Sequence, residues 1–450
     1  MSTSSEVSTT SKLLSPNILT DKQHAAIQFA QHNNAAVIIA PTGVGKTIIS
    51  LSTIARTGGK WIVTAPPNVI KGWQAEAQKW EHTRHLNLLL LDGSPAERLK
   101  KLTRRYDVLL ISLNSLTWLL EQDHGCTNII IDELSKAAGK QASKLKNKAN
   151  DKINKRIALT ATPVSESFEK LFSMLRIIDH GKALGRNRML YLEKYFYPTD
   201  YKRYNWKLRP GSDQHIMSAV KHLIHDVSVV KADVLPPIEQ DEFEFDMPTS
   251  TRALYDAMRS DMIVGDVVAV NTAVLSSKLR QIASGFAIDE DSNTVIYDNE
   301  RAKALGFVLT EQPKRKALII YEYNRQREQI EQQLDLIGAT YTSVYGGSDK
   351  DASLDEFKNT DTQYLVAQAN TLSHGCDGLQ YPCNWLIFYH PLWSNDTTIQ
   401  ATGRIWRQGT PFERVTVTTL VCDNSVDDLV LSRLDTKAEN MNLFLKHLRG

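Results

Sequence analysis

Short apolar runs, separated by stretches of helical pattern, recur along this 450-residue chain and constrain its fold more than any other feature. In the first half they are AAVIIA (35–40), WIVTAP (61–66), LNLLLLDG (86–93), DVLLISL (107–113), NIIIDE (128–133) and RIALTAT (156–162). In the second they are KALIIYEY (316–323), TYTSVYGG (340–347), QYLVAQA (363–369), NWLIFYH (384–390) and VTVTTLVC (415–422). Runs that are continuously apolar, rather than alternating, suit parallel strands covered on both faces. Helices between them need one apolar stripe. NVIKGWQAEAQKW supplies it with Ile70, Trp73, Ala77 and Trp80, and a later segment with Ile330, Leu334 and Ile337. The pattern predicts two α/β domains of similar build. Between them, from about 180 to 300, the chain is polar, aromatic and mostly helical in pattern, and Leu-Pro-Pro at 235–237 is the candidate linker. The expected divisions are a tail (1–17), a first domain (18–180), an insertion and linker (181–235), a helical lead-in (236–300) and a second domain (301–450).

Hydrophobic content of 42% and charged content of 23% are those of a globular chain, and a net charge of +2 gives no whole-chain argument for a polyanionic partner. Cys126, Cys376, Cys383 and Cys422 lack the paired spacing of a zinc site and are too few for a disulfide framework. They read as buried or incidental thiols of a reducing compartment. The Ser/Thr-rich MSTSSEVSTTSK lacks the layout of a signal peptide and is expected to be disordered. No apolar run approaches a membrane span. A cytoplasmic protein is expected, in the host cytoplasm if phage-encoded, with no membrane partner and acting as a monomer.

The first run leads directly into APTGVGKT (40–47) and a helical TIISLSTIAR, a strand–loop–helix with a P-loop, although Ala40 stands where the first glycine is usual. Gly43 and Gly45 allow a tight loop whose backbone N–H groups turn toward phosphate. Thr42 and Val44 complete that cradle, Lys46 adds a point charge near the β and γ phosphates, and the Thr47 hydroxyl can hold Mg²⁺. IIIDEL (129–134) is a strand ending in two acids: Asp132 is placed for Mg²⁺, and Glu133 to orient and deprotonate the attacking water. ATP with Mg²⁺ is the expected substrate. Far downstream, QATGRIWRQG (400–409) sets Arg404 and Arg407 three apart, a spacing that puts both on one helical face.

In order and spacing these motifs resemble helicase superfamily 2, and within it the Swi/Snf-type branch with its phage relatives, from about Leu19 to Gly409. DKQHAAIQ carries Gln23 where the family reads adenine; PTGVGKT and DELS match motifs I and II, and LTATP (159–163) matches motif III. VTAPPNVIKGWQAEAQKW matches motif Ia, with Trp73 and Glu76 at positions typical of this branch. VKADVLP, leading to LYDAM, resembles the passage between motor domains. NTLSHGCDGLQ (370–380) resembles motif V, with Gly375 and Asp377, and QATGRIWRQG resembles motif VI. The resemblance implies two RecA-like domains that clamp ATP, Asp377 among the nucleotide contacts, and Arg404 and Arg407 as arginine fingers. Ser135 replaces the usual histidine of motif II, so coupling through Thr160, Thr162 and Gln400 is expected to be wired differently. The arginine pair common before the linker is absent, leaving Lys231.

DNA is the expected track. After motif II, residues 136–156 carry eight Lys/Arg against one acid, which favours phosphate contacts by Lys136, Lys140 and Lys144 over a merely solvated loop. Residues 182–209 carry eight Lys/Arg, two acids and seven aromatics. This segment reads equally as a stacking surface, with Tyr204, Lys207, and Trp206 or a neighbouring tyrosine as a strand-separating wedge, or as the small core of an inserted subdomain. The family resemblance adds Lys71, Asn370 and Thr371 as track contacts. Since the chain stops soon after its last strand, a nearly bare motor is expected. It would unwind or branch-migrate forked and junction DNA, alongside replication or recombination proteins. The alternatives are a duplex translocase that remodels protein–DNA complexes, and an ATP-gated clamp with little turnover. An RNA helicase fits motif Ia and the linker less well.

Overall fold

The computed structural model describes residues 13–41, 44–70, 72–134, 145, 152–161, 168–227, 235–265, 267–269, 271–372, 376–407 and 409–449. The chain divides into two compact units, Met1–Val229 together with Phe444–Gly450, and Val230–Leu443.

The first unit contains β1 (Ala35–Ile39), β2 (Trp61–Ala65), β3 (Leu88–Leu90), β4 (Val108–Ser112), β5 (Asn128–Asp132), β6 (Lys155–Thr160), a hairpin β7 (Phe196–Pro198) and β8 (Trp206–Leu208), and β9 (Ile224–Asp226). Seven of these form one sheet in the order β3-β4-β2-β5-β6-β1-β9, with parallel pairings throughout. Period-2 alternation sends Val37, Ile39, Ile62 and Leu109 into one apolar layer and Ala36, Ile38, Trp61 and Val63 into the other. Both faces are therefore covered, which is why the runs read as continuously apolar. Each fully buried aliphatic side chain contributes about 1.5–3 kcal/mol to that arrangement. The stripe Ile70, Trp73, Ala77 and Trp80 is buried as predicted. Leu14, within the expected tail, pairs with the Lys79–Glu81 segment.

The second unit holds β10 (Ile238–Phe245), two small hairpins, β11 (Ile263–Val264) with β12 (Val267–Val268) and β13 (Phe286–Ile288) with β14 (Thr294–Ile296), then β15 (Ala317–Tyr321), β16 (Tyr341–Val344), β17 (Tyr364–Gln368), β18 (Trp385–Phe388) and β19 (Val415–Cys422). Its six-stranded sheet has the order β10-β19-β18-β15-β17-β16 and is parallel throughout. Leu318 and Ile320 face one layer, and Ala317, Ile319 and Tyr321 the other.

The stretch expected to be mostly helical is mixed. It contributes β9 to the first sheet and β10 to the second, besides the three hairpins. β9 is three residues long, and β10 is an edge strand carrying Glu239, Asp241, Glu242 and Glu244. Exposed charge suits an edge, but it erases the apolar signature. All four cysteines are free thiols and buried, and burial pushes Cys126 and Cys422 up to about 12. Among the described residues no helix is long and apolar enough to cross a membrane.

Candidate functional site

The phosphate loop is positioned from three sides. β1 delivers it at the carboxyl edge of the first sheet, where ligands of open α/β sheets bind. There the Ala40 N–H donates to the Thr160 carbonyl at 2.9 Å, joining the loop entrance to the end of β6 and hence to motif III. Behind the loop, α1 (Asp21–His32) begins with a capping box in which Thr20 and Gln23 satisfy each other. The other end of α1 is pinned by buried Lys155, whose ammonium donates to the carbonyls of Ala30, Gln31 and Asn33 at 2.8–2.9 Å. So fixed, the Gln23 amide accepts from the Thr20 N–H at 2.8 Å and donates to the Val44 carbonyl at 3.0 Å.

Gly45 closes the loop as the N-cap of α2 (Lys46–Thr57), with φ of +83°. The positive φ favours glycine, and a β-carbon there would stand 2.6 Å from Gln23 Nε2, so the Gln23 amide would have to move. Lys46 and Thr47 then occupy the first turn of α2, where N–H groups and the helix dipole favour an anion.

Opposite the loop, β5 ends at buried Asp132, and Glu133 follows with φ of +59°, a left-handed conformation rare for a non-glycine residue. Such a backbone is held only where surrounding contacts require it. Here the Glu133 carboxylate accepts from the Lys46 ammonium at 2.6 Å, with side-chain exposures of 7% and 13%. The catalytic base and phosphate-binding lysine of the sequence reading are thus in direct contact. Gly45, the anion-favouring turn that follows it, the Thr47 hydroxyl and the buried Asp132 carboxylate are, by their chemistry, groups that suit a nucleotide phosphate with Mg²⁺.

In the second unit, Asp377 accepts from Arg407 at 2.7 Å, with an Arg404 nitrogen 3.6 Å away. Although the Asp377 side chain is exposed, the Arg407 hydrogen bond and the charges of Arg407, Arg404 and Lys358 hold its carboxyl below the ordinary range. The helical-face expectation needs correction. The α-helix Asn395–Ile405 ends before Arg407, and Trp406 terminates it by leaving helical geometry, its indole donating to the Pro236 carbonyl at 2.8 Å. The two guanidiniums converge through a bend, not along a face. Gln400 is buried in that helix.

Of the expected track contacts, Asn370 is exposed, whereas the Thr371 hydroxyl donates to the carbonyls of Gln368 and Val344. Tyr204 and Lys207 are exposed, and Trp206 is half-buried against the first core. Thr42, Gly43, Lys71, Ser135, Lys136, Lys140, Lys144, Thr162, Lys231 and Gly375 lie outside the described residues. Sequence reasoning missed the role of Lys155 in fixing α1, since a lysine opening a strand carries no signal of three carbonyl partners 122–125 residues upstream. It also did not distinguish among the tyrosines near Trp206, of which Tyr201 is fully exposed.

The SNF2-related domain model matches residues 22–296, more than half of the chain. The chain belongs to the SNF2-related family. A second model, the helicase conserved C-terminal domain, matches residues 300–409. With both domains present, it is an SNF2-family helicase-like ATPase.

Among similar proteins is putative protein p41 of Acyrthosiphon pisum secondary endosymbiont phage 1, 23% identical over 95% of this chain and 98% of the relative. Protein CHROMATIN REMODELING 5 of Arabidopsis thaliana is 20% identical over 93% of this chain and 26% of its own length. Human DNA repair and recombination protein RAD54B is 19% identical over 89% of this chain and 51% of its own length. The chain therefore spans nearly all of the phage relative, but about a quarter to a half of these eukaryotic ones. A solved Sulfolobus solfataricus SWI2/SNF2 ATPase core in complex with dsDNA is 17% identical over 94% of this chain and 92% of that chain, with a TM-score of 0.42.

Proposed function

We propose that this SNF2-family chain is an ATP-dependent DNA translocase that separates strands or migrates branches at forks and junctions. The observation that carries the proposal is the Lys46–Glu133 contact at the carboxyl edge of the first sheet. A partly buried ammonium held by a buried carboxylate is a resting pair with two latent tasks. When triphosphate enters, Lys46 exchanges the carboxylate for phosphate oxygens. Glu133 is thereby released to orient water and take its proton.

Gln23, bonded to the Val44 carbonyl, transmits the state of the loop to α1. The Thr47 hydroxyl and Asp132 would hold Mg²⁺, which when bound neutralises charge building on the phosphates. Arg404 and Arg407, oriented by Asp377, supply fixed positive charge to the phosphoryl group as it transfers. Since they belong to the second domain, hydrolysis is coupled to domain movement.

The names of the relatives, which include recombination and chromatin-remodelling proteins, support DNA as the track and keep a second reading in play: duplex translocation without strand separation. ATPase rate and release of labelled strands, measured together on single-stranded DNA, duplex, fork, four-way junction and RNA, separate the two. Stimulation by forks and junctions, with product lost in Lys46→Ala, is expected. Stimulation by plain duplex with no separated strands would replace the first reading with the second. Equal rates with and without every nucleic acid would remove both.

A further inference from the structure

The segment 182–209 is neither all core nor all surface, and the hairpin register decides which residues do what. Phe196 pairs with Leu208, Tyr197 with Lys207, and Pro198 with Trp206. Phe196 is buried, and Leu208 and Trp206 are packed against the first core. Trp206 is further fixed by its indole N–H, which donates to the Arg203 carbonyl at 2.9 Å. Below them Phe172, Tyr191, Tyr195 and Phe196 form an aromatic cluster with ring centroids 5.0–5.6 Å apart. These residues are the foundation, and Trp206 belongs to it.

The loop they support, Thr199–Asn205, is locked. Asp200 accepts from the backbone N–H groups of Tyr204 at 3.1 Å and Asn205 at 2.6 Å, and Thr199 N–H donates to the Asn205 carbonyl. Arg203 takes the left-handed conformation with φ of +55°. A loop so closed leaves its side chains outside. Tyr201 is fully exposed and Tyr204 is 80% exposed. Their neighbours Lys202, Arg203 and Lys207 are exposed, while the two acids of the segment are engaged, Asp200 in the loop and Glu193 3.5 Å from Arg203.

An aromatic ring on a rigid scaffold loses little conformational freedom when it stacks, and a base offers every ring a π-face. A protein partner would call for contiguous apolar surface. The tip instead offers separate rings among cations, which fits a stacked base flanked by phosphates.

We propose that the tip of the β7–β8 hairpin is a base-stacking element. Tyr201 and Tyr204 would engage the unpaired bases where single-stranded DNA meets duplex, and Lys202 and Lys207 the adjoining phosphates. The proposal rests on the DNA reading above, but can be tested apart from ATP hydrolysis.

The test is equilibrium binding of the full chain, without nucleotide, to blunt duplex and to forks carrying 2-aminopurine at the first unpaired position. The variants are Tyr201→Ala/Tyr204→Ala and Tyr201→Phe/Tyr204→Phe, with thermal melting as a control on folding. The alanine pair is expected to bind the fork about tenfold or more weakly and lose the 2-aminopurine response. Its blunt-duplex affinity and its melting temperature should stay as in wild type, and the phenylalanine pair should behave as wild type throughout. Fork binding and 2-aminopurine response unchanged by the alanine pair overturn the proposal, as does equal weakening on fork and blunt duplex. Hairpin-dependent fork binding by a chain whose ATPase ignores DNA would overturn the motor reading and leave this one standing. No binding to any DNA would overturn both.

Discussion

At the scale of single residues, the site combines groups that the sequence singles out with restraints that it does not reveal. Lys46, Glu133, Asp132 and Thr47 were legible because a phosphate loop and an acid-ended strand each require few residue types at fixed offsets. The Gln23–Val44 bond was not, because nothing in spacing tells where an amide points. Gly45→Ala meets a positive φ and displaces the Gln23 amide from the Val44 carbonyl, so nucleotide binding should weaken. Equilibrium titration with a fluorescent ATP analogue checks this. Glu133→Gln keeps the size of the side chain and removes the base. It should still bind ATP while its turnover falls by about 10²–10⁴-fold, read from single-turnover hydrolysis. Arg404→Ala and Arg407→Ala should each lower turnover by about 10³-fold or more and leave the binding of ATP to the first domain nearly unchanged.

At the scale of elements, strands buried on both faces announced themselves and edge or very short strands did not. β15 reads ALIIY because each residue meets one apolar layer or the other, whereas β10 reads IEQDEFEF because one side of it is solvent. Equally hidden were polar groups that tie elements together across long separations. Arg301 and Asp427 form an ion pair, each about 1% exposed, and Arg301 also donates to the carbonyls of Ala283, Tyr389 and Leu420. Asp427→Ala would leave that guanidinium buried without its counter-charge. The second domain should lose about 3–5 kcal/mol, measured by denaturant unfolding.

Beside this pair, buried His390 stacks on Tyr323 at 6.0 Å and contacts Arg280 at 3.2 Å. Burial, reinforced by the charges of Arg280 and Arg301, holds His390 well below the usual histidine range. An unfolded chain takes up this proton near pH 6.5 and the folded domain does not. The contribution of His390 to stability is therefore complete above that pH. It declines as pH falls below it, by up to about 1.4 kcal/mol per pH unit. Unfolding midpoints at pH 7.5 and 5.5 should differ less in His390→Gln than in wild type.

At the scale of the whole molecule, chain order carried the strongest signal. A phosphate loop, an acid-ended strand, a Thr-rich strand end and a late arginine pair occur in one sequence order, and the family models match the chain from 22 to 409. Each half builds a parallel sheet and carries expected groups: Lys46 and Glu133 in contact at the carboxyl edge of one, and Asp377 with Arg404 and Arg407 in the other, beside the chain that enters β10. The track was less legible. Cations and aromatics between 182 and 209 could have been surface or core, and only hairpin register divides Trp206 from Tyr201 and Tyr204.

The central claim is that hydrolysis at Lys46 and Glu133 moves the chain along DNA. Displacement of a labelled third strand from a DNA triplex reads that movement without requiring strand separation. Wild type should displace it in the presence of ATP and Mg²⁺, and Lys46→Ala and Glu133→Gln should not. DNA-stimulated hydrolysis by wild type, or ATP-dependent binding, with the third strand left in place would contradict the claim. ATP-dependent binding with little hydrolysis even on DNA would make the protein a nucleotide-gated clamp.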